Sequence, residues 1–341
     1  MSNTTEPWRW LAIGDPHFKI SNVKDAREFR AKVVKLIHGL KQKPDAVVIL
    51  GDLHDAFERV HSLVMAEICG LFQDILDCWT DDTYLYYIVG NHDYINNQAY
   101  LTGDHAFLPF KKWDRLRIVD KPGTVYTESY GTFVVCPYVP PGRLGEALAT
   151  MEYDFMKARA VFCHQEFRDV QLGPRPSKHG DAWPADAPLA ISGHIHEQQW
   201  LKENIFYVGE PFDSSYGSEG QKTVSIIDFY EEGKPVINQV DLGMPRRLTV
   251  TLTIDQLKAF QKPENAHVRV YVTGTTEELA VFKKSKEYKE LSKEVKIITK
   301  PSDVLIARRN EGGLRYAEIL AQSVANESEA VKEAFLEIQG T

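Results

Sequence analysis

Cysteine is scarce in this chain, and none of its four cysteines belongs to a C-x-x-C pair. The four are Cys69, Cys78, Cys136 and Cys163. So few unpaired thiols exclude a disulfide framework and do not have the spacing of a zinc finger. The pattern is typical of a protein kept in a reducing compartment.

Long apolar runs are also missing, and so is an N-terminal targeting signal. No run approaches the roughly 18 apolar residues of a membrane-spanning helix. Residues 1–15 do not place a basic segment before an apolar one. We therefore predict a protein of the cytoplasm or of a nucleoid-like compartment, with no membrane partner.

Positive charge is not in excess, because 40 Lys and Arg stand against 48 Asp and Glu, a formal charge of −8. This balance excludes a strongly basic nucleic-acid module, so any DNA contact has to come from local patches. The chain of 341 residues, 43% of them hydrophobic, is long enough for a large core and two domains.

Short apolar runs alternate with helix-like segments in the first part of the chain, which predicts layered α/β architecture. The early strands are predicted at Trp8–Ile13, Ala46–Leu50 and Tyr84–Val89, with helices at Lys24–Leu40 and His61–Trp79. Strands dominate from Gly123 up to the Gly-, Pro- and Arg-containing stretch 241–248, which is typical of a domain junction.

We predict that the domains are residues 1–245 and residues 246–341, the second being a small α+β unit. Its predicted elements are strands at Leu248–Thr253, His267–Val272 and Val295–Ile298, a helix at Glu277–Leu291 and closing helices within Tyr316–Ile338.

Side chains that bind metals follow several of the predicted strands. Asp15 and His17 come directly after the first strand, and Pro16 between them favours extended backbone at the aspartate. Because residues i and i+2 of an extended chain point the same way, this pair is expected to reach one ion. The same argument applies to His194 and His196.

Further polar clusters follow other strands, where ligands of α/β sheets collect. These clusters are Asp52 with Asp55, Asn91 with His92 and Asp93, and His164. A single histidine after a strand is more often solvated or hydrogen-bonded than a ligand, but five such segments in this order indicate a metal centre. Two aspartates, four histidines and one asparagine suffice for two divalent ions if one aspartate bridges. Mixed carboxylate and imidazole ligands suit Mn, Fe or Zn better than Mg or Ca. We predict two divalent ions, with Mn as the first choice and Fe, Zn or Mg as alternatives.

These segments resemble the five-part signature of the calcineurin-like metallophosphoesterases, D-x-H, G-D-x-x-D, G-N-H-D/E, H and G-H-x-H. The matching stretches are Asp15–His17, Gly51–Asp55, Gly90–Asp93, His164 and Gly193–His196. The resemblance runs from residue 8 to about residue 230. It implies a four-layer αββα sandwich with a di-metal centre.

The resemblance also implies a role for each residue. One ion is held by Asp15, His17 and His196, the other by Asn91, His164 and His194, and Asp52 bridges them. His92 is the catalytic histidine, Asp93 or another carboxylate fixes its tautomer, and Asp55 lies behind the ligands or beside the substrate. Two such ions can activate water for in-line attack on phosphorus, so no Ser or Cys nucleophile is needed.

Protein Ser/Thr phosphatases are a poorer match, because they have arginine where Ala56 stands and glutamate where Asp93 stands. The chain more closely resembles the SbcD-type nuclease subunits of double-strand-break repair, in a compact phage or viral form. The shared features are FCHQ at 162–165, SGHIHEQQ at 192–199 and an α+β appendix after Pro245. In some members of that branch a histidine occupies the place of Asp55.

This branch implies a DNA exonuclease or endonuclease of an SbcCD-type repair and recombination complex. Its partners would be DNA and an SbcC-type coiled-coil ATPase, with homodimer formation as a further expectation. Two other functions stay open, a small-molecule or cyclic-nucleotide phosphodiesterase or phosphatase with the same metals, and a non-catalytic binding module. The appendix favours the nuclease, and the complete ligand set argues against the binding module.

Several residues outside the motifs have two interpretations each. Seven basic residues are candidates for binding DNA phosphates, namely Arg168, Arg175, Lys178, Arg246, Arg247, Arg308 and Arg309. Trp183 and Tyr216 stack on a base or pack internally. His54 or His179 is a candidate to position DNA in place of the histidine that some members have where Asp55 stands. The alternative for His54 is that it is an ordinary loop residue. The basic stretch 283–296 is more simply a solvated helix face, and the apolar stripe in 316–338 is appendix core or a docking face for the ATPase.

Overall fold

The computed structural model describes residues 6–302 except 58, 80–82, 173–174 and 219, and it describes Leu172 and Arg175 by their backbone only. Two compact units divide after Arg247. The arginine pair Arg308–Arg309 and the helices predicted within Tyr316–Ile338 lie outside the described residues.

The first unit contains two six-stranded sheets, whose strands are numbered here in chain order. The first sheet is built from β1 (Trp8–Ile13), β2 (Ala46–Ile49), β3 (Tyr84–Ile88), β4 (Leu116–Val119), β13 (Val224–Phe229) and β14 (Val236–Val240). Its order is β14–β13–β1–β2–β3–β4. Strands β1 to β4 are parallel, and β13 is antiparallel to β1.

The second sheet has the order β11–β12–β10–β7–β6–β5. Its strands are β5 (Gly123–Thr127), β6 (Gly131–Cys136), β7 (Ala160–Cys163), β10 (Leu189–Ser192), β11 (Gln199–Lys202) and β12 (Ile205–Tyr207). The four central strands are parallel. A short hairpin of β8 (Gln171–Leu172) and β9 (Arg175–Pro176) lies between β7 and β10 in the chain.

The two sheets pack face to face through a buried apolar layer. Trp10 of β1 lies 4.6 Å, between ring centroids, from Phe162 of β7, and Phe133 of β6 joins the same cluster. Every residue of β2 is buried, as expected for a strand covered on both faces.

Helices cover the outer faces of both sheets. The long helices α1 (Val23–Gly39) and α2 (Ser62–Leu76) pack on the first sheet, where Phe29 and Ile37 enter its core. The short helix α3 (Leu144–Leu148) and the loop carrying Trp183 cover the second sheet. The predicted four-layer αββα sandwich is therefore confirmed.

The second unit is described from Leu248 to Ser302 and has its own apolar core. Its sheet has the order β15 (Arg246–Thr253), β16 (Ala266–Gly274), β17 (Lys296–Pro301), with β15 beginning two residues before the division of the units. Its helices are α4 (Ile254–Lys258), α5 (Thr276–Phe282) and α6 (Lys286–Leu291).

The continuous helix predicted over Glu277–Leu291 is wrong, because the chain turns between α5 and α6. Ser285 adopts extended backbone there, and its hydroxyl accepts a hydrogen bond from the Tyr288 amide as an N-cap. The Lys- and Glu-rich periodicity continues across this turn, so the pattern alone does not reveal the break.

Three short 3₁₀ helices complete the described structure, at Ile20–Asn22, Leu108–Lys112 and Phe155–Lys157. Among the described helices, none combines the length and apolar character needed to cross a membrane.

Candidate metal centre

The metal-binding side chains meet because the carboxyl ends of parallel strands lie at one edge of each sheet. β1, β2 and β3 of the first sheet lead into three of the motif segments, and β7 and β10 of the second sheet lead into the other two. The two stacked sheets bring all five segments together. The seven predicted ligands lie in two adjacent groups.

The first group consists of Asp15, His17 and His196, whose candidate ligand atoms lie within 4.8 Å of one another. The Nε2 atoms of the two histidines are 2.9 Å apart. Both carboxylate oxygens of Asp15 accept from the His194 amide, at 2.9 and 3.0 Å. This bond ties the loop after β10 to the loop after β1.

The second group contains Asn91, His164 and His194. Asn91 Oδ1 is 2.9 Å from His164 Nε2 and 2.9 Å from His194 Nδ1, and those two nitrogens are 3.2 Å apart. Three donor atoms therefore converge on one small volume from three separate loops.

Asp52 lies between the two groups. Its Oδ2 is 3.4 Å from His164 Nε2 in one group and 3.7 Å from His17 Nε2 in the other. Its Oδ1 accepts a hydrogen bond of 2.9 Å from the His92 amide, which fixes the carboxylate plane. A single buried carboxylate thus faces both groups, as a bridging ligand would.

The extended backbone predicted around two of the ligands is wrong, because His17 and His194 have positive φ values of 44° and 77°. In consequence His194 and His196 do not reach the same group, as the i, i+2 argument required, but supply one each. Asp52, for which no backbone conformation was predicted, also has a positive φ, 49°. Such conformations are uncommon outside glycine and tend to occur at functional sites.

Two glycines are required by the close packing of the ligand loops. A Cβ on Gly90 would lie 2.2 Å from Asp52 Oδ1. A Cβ on Gly193 would lie 2.6 Å from Asp15 Oδ1 and 3.0 Å from His164 Nδ1. These distances are below van der Waals contact, so only glycine lets the loops approach one another.

Burial and mutual charge set the ionisation of the central carboxylates. Burial raises the pKa of Asp15 to about 7. Burial also opposes the ionisation of Asp52, but the facing imidazoles, His164 foremost, outweigh it and hold the pKa of Asp52 below its ordinary value. Burial lowers the pKa of His164, yet the charges of Asp52 and Asp15 prevail and raise it to about 9.

The two histidines of the loop after β10 are shifted in the opposite direction. Burial lowers the pKa of His194. Burial and the neighbouring His17 ring lower the pKa of His196 to about 4. Both rings are therefore neutral at pH 7 and offer a lone pair, the form in which imidazole binds a metal.

Each of the four imidazoles has an oxygen atom near the nitrogen that points away from the ligand groups. The pairs are His17 Nδ1 with Asp55 Oδ1 at 3.2 Å, His164 Nδ1 with the Leu50 carbonyl at 2.6 Å, His194 Nε2 with Glu166 Oε2 at 3.8 Å and His196 Nδ1 with Glu210 Oε2 at 3.9 Å. Metal-bound histidines usually have such partners on the second nitrogen. The motifs pointed to Asp55, but Glu166 and Glu210 were missed, because both lie outside the motif stretches.

His92 lies beside the two groups, with its side chain 27% exposed and its Nε2 4.0 Å from Asp52 Oδ2. Its Nδ1 is buried without a hydrogen-bond partner in the described part of the chain. Aromatic contacts hold the ring instead. Phe57 stacks on it at 4.6 Å between centroids and 22° between planes, and His17 meets it edge-on. Phe57 has no motif signal in the sequence.

The side chain of Asp93 does not contact the ring of His92, so of the two alternatives, Asp93 or another carboxylate, the first is wrong. Its Oδ2 accepts from the Gly90 amide at 2.7 Å, from the Asp52 amide at 3.1 Å and from the Tyr87 hydroxyl. Since burial dominates, the pKa of Asp93 is raised. Asp93 therefore braces the loop that carries the ligands.

His54 lies in the loop after β2, where its ring is fully buried and stacks on Phe107 at 5.6 Å. His179 is exposed. Trp183 packs internally, and its indole donates to the Pro188 carbonyl at 2.9 Å. Cys163 is buried at the end of β7, as predicted.

The arginines at the unit boundary are engaged with carboxylates of the first unit. Arg246 pairs with Asp213 at 2.9 Å, and Arg247 pairs with Asp25. Tyr216 is half-buried, with the Arg247 guanidinium 5.7 Å from its ring centroid. Arg168 and Lys178 are exposed.

The donor atoms fit a pair of divalent cations. Two buried carboxylates, an amide oxygen and four imidazoles converge, and the groups share Asp52. In the described residues no thiolate belongs to either group. This mixture of nitrogen and oxygen ligands suits Mn, Fe or Zn.

Comparison with known proteins gives the class of protein. The calcineurin-like phosphoesterase family model matches residues 9–198, which include all seven candidate ligands. The chain belongs to this family, whose members are metal-dependent hydrolases of phosphoesters.

Two viral relatives extend the similarity beyond the family model. "Putative phosphoesterase 078R" of Invertebrate iridescent virus 3 is 33% identical over 332 residues, 94% of this chain and 93% of that protein. "Putative phosphoesterase 244L" of Invertebrate iridescent virus 6 is 32% identical over 283 residues, 81% of this chain and 97% of that protein.

Proposed function

We propose that this protein is a two-metal phosphodiester hydrolase that cleaves DNA, with Mn as the preferred cation. The observation that carries the two-metal part is the position of Asp52 Oδ2, 3.4 Å from a histidine of one group and 3.7 Å from a histidine of the other. When bound, two cations would supply Lewis acidity at the phosphoryl oxygens and an activated water.

The residues of the chain have separate tasks in this proposal. Asp15, His17 and His196 would hold one cation, Asn91, His164 and His194 the other, and Asp52 both. His92 is partly exposed beside the groups, where a substrate would enter. Burial lowers the pKa of His92, so its ring is neutral at pH 7 and can donate a hydrogen bond to a phosphoryl or leaving oxygen.

Two observations support a diester rather than a monoester substrate. Ala56 follows Asp55, so the loop after β2 offers no guanidinium at that place to pair with a phosphomonoester dianion. The described chain also has a second compact unit after Arg247, which a small substrate does not require. The SbcD-like stretches at 162–165 and 192–199 point to DNA, and an SbcC-type ATPase partner and a homodimer are parts of the same proposal.

One observation favours the alternative, a phosphodiesterase for small or cyclic nucleotides. Arg246 and Arg247, two of the basic residues available for DNA, are ion-paired with Asp213 and Asp25. The substrate class therefore has to be tested directly.

The first test incubates purified protein with labelled single- and double-stranded DNA and with bis-p-nitrophenyl phosphate, in Mn and in EDTA. We expect Mn-dependent cleavage of the small diester and of DNA, both abolished by EDTA. Asp52→Asn should weaken the binding of both cations and lower turnover at least 100-fold, on the order of 3 kcal/mol of transition-state stabilisation.

Two results would contradict the proposal in different ways. Cleavage of the small diester with no cleavage of any DNA would reject the nuclease and leave the small-substrate phosphodiesterase. Loss of a single cation in Asp52→Asn, measured by calorimetric Mn titration, would show that this carboxylate does not bridge.

A further inference from the structure

His194 needs a fixed orientation if it is to serve the second ligand group. Its Nδ1 faces Asn91 Oδ1 and His164 Nε2, at 2.9 and 3.2 Å. A metal can use this nitrogen only when the proton sits on Nε2. Nε2 points out of the group, toward Glu166 Oε2 at 3.8 Å.

Glu166 is itself held in place by buried backbone and side-chain contacts. Its other oxygen, Oε1, accepts a hydrogen bond from the Ser177 hydroxyl. Ser177 is buried, and its amide donates to the Val170 carbonyl at 2.8 Å while its carbonyl accepts from the Asp169 amide at 2.9 Å. The carboxylate therefore faces His194 from the base of the β8–β9 hairpin, where hydrogen bonds fix the position of Ser177.

We propose that Glu166 is a positioning residue that keeps the Nε2–H tautomer of His194 and so sets the affinity of the second cation site. This inference rests on the proposed two-metal function. Asp55 and Glu210 stand behind His17 and His196 in the same manner, but each is also close to a lysine, at 3.1 and 2.9 Å respectively. Glu166 is held by the Ser177 hydroxyl on one oxygen and faces His194 Nε2 with the other.

The experiment is calorimetric titration of metal-free protein with Mn²⁺ alone, comparing wild type with Glu166→Ala, Glu166→Gln and Glu152→Ala. Glu152 is an exposed glutamate and serves as the matched control. We expect one of the two Mn²⁺ binding steps to weaken 10- to 100-fold in Glu166→Ala, the usual cost of removing an outer partner of a ligating histidine. Glu166→Gln, which keeps an acceptor oxygen, should weaken it less, and Glu152→Ala should not change it.

A second comparison separates positioning from direct ligation and from a purely structural role. If Glu166 acts through His194, then Glu166→Ala should cause no further loss of affinity in a His194→Ala background. Additive losses would overturn the proposal, because they would mean that Glu166 binds the cation itself. An equal loss in both binding steps, together with a lower unfolding temperature in EDTA, would also overturn it, because that result describes general damage to the fold.

Measuring both Mn²⁺ binding and diester cleavage distinguishes a failure of this inference from a failure of the proposed function. Wild-type protein that binds two Mn²⁺ ions but cleaves no diester would refute the function and leave the role of Glu166 measurable. Unchanged Mn²⁺ affinity in Glu166→Ala, in a protein that still cleaves diesters, would refute only the role of Glu166.

Discussion

His92, the proposed catalytic histidine, is oriented by packing rather than by a hydrogen bond at Nδ1. Its Nδ1 has no partner in the described residues, while Phe57 stacks on one face and His17 meets it edge-on. Phe57 is 36% exposed, so it does not serve the core. Its contact with His92 is the interaction that explains its position.

The first residue-scale prediction concerns that contact. Phe57→Leu should lower kcat roughly two- to ten-fold with little change in KM, because an aromatic pair is worth about 0.5–1.5 kcal/mol beyond its buried area. Phe57→Tyr, which keeps the stacking ring, should restore turnover. Steady-state kinetics on bis-p-nitrophenyl phosphate measure both. A Phe57→Leu defect of the same size in a His92→Ala background would show that Phe57 does not act through this histidine.

The second residue-scale prediction follows from the raised pKa of His164, about 9 in the metal-free protein. A histidine whose folded pKa exceeds its unfolded value stabilises the fold fully below about pH 6.5, and this contribution is lost as the pH rises through the folded pKa. Metal-free protein should therefore lose stability, on the order of 2 kcal/mol, between pH 7 and 9.

Urea unfolding in EDTA at the two pH values measures this loss. His164→Gln, which cannot titrate, should show a smaller slope, and Mn²⁺ should remove the slope in the wild type, because a ligating imidazole is already deprotonated. Equal stability at pH 7 and 9 in EDTA would contradict the assigned charge on His164.

Sequence reasoning was most effective for single residues that follow strands. The order of strand, glycine and polar residue predicted which side chains meet, since strand ends share an edge. It could not predict the positive φ of His17 or His194, because the tertiary contacts that enforce such conformations are not visible in local spacing. The positions of Glu166 and Glu210 behind the histidines also depend on tertiary packing of the loops, so local spacing did not reveal them.

At the scale of elements, the short loops after the strands place the ligands, and glycines let those loops touch. Gly193 begins the loop after β10, and a Cβ on it would lie 2.6 Å from Asp15 Oδ1 and 2.6 Å from the Leu50 carbonyl oxygen. By contrast, a Cβ on Gly145 in α3 would meet no atom within 4 Å. Substituting Gly193 and, as a control, Gly145 by alanine therefore tests whether the close approach of the ligand loops is needed for metal binding.

We predict that Gly193→Ala reduces Mn²⁺ affinity at least ten-fold, because the new methyl group has to displace Asp15 or His164. Overpacking of this kind costs about 1–3 kcal/mol. Gly145→Ala should bind Mn²⁺ normally and gain about 0.5–1 kcal/mol of stability, since alanine is the better helix former. Calorimetry and urea unfolding check the two variants. Normal Mn²⁺ binding by Gly193→Ala would show that the loops can separate.

Among the elements, the early strands β1 to β3 were predicted at nearly their observed bounds, whereas β11 was not predicted. β2 is a continuous apolar run, the pattern that a strand covered on both faces requires. β11 has an exposed tryptophan, Trp200, and a β-bulge, so it shows no clear alternation. The break between α5 and α6 depends on one capping serine within an unbroken charged pattern.

At the scale of the whole molecule, the metal groups lie in the first unit and the proposed DNA specificity is assigned to the second. All seven candidate ligands precede Arg247, where the units divide. The relative 078R of Invertebrate iridescent virus 3 matches 94% of this chain, so the similarity includes residues of both units.

We expect a chain ended after Arg247 to bind two Mn²⁺ ions and to hydrolyse bis-p-nitrophenyl phosphate within about three-fold of the full chain, a difference below 1 kcal/mol. Cleavage of double-stranded DNA should fall at least ten-fold. Parallel assays of the two substrates measure the ratio. Equal losses on both substrates would assign the second unit to stability of the fold, and unchanged DNA cleavage would remove it from substrate recognition.

The loop after β10 supplies His194 to one ligand group and His196 to the other, with buried Ile195 between them. A one-residue insertion or deletion in this tripeptide would therefore unload both cations together. Such a change would remove the chemistry in a single event, without passing through a half-loaded intermediate.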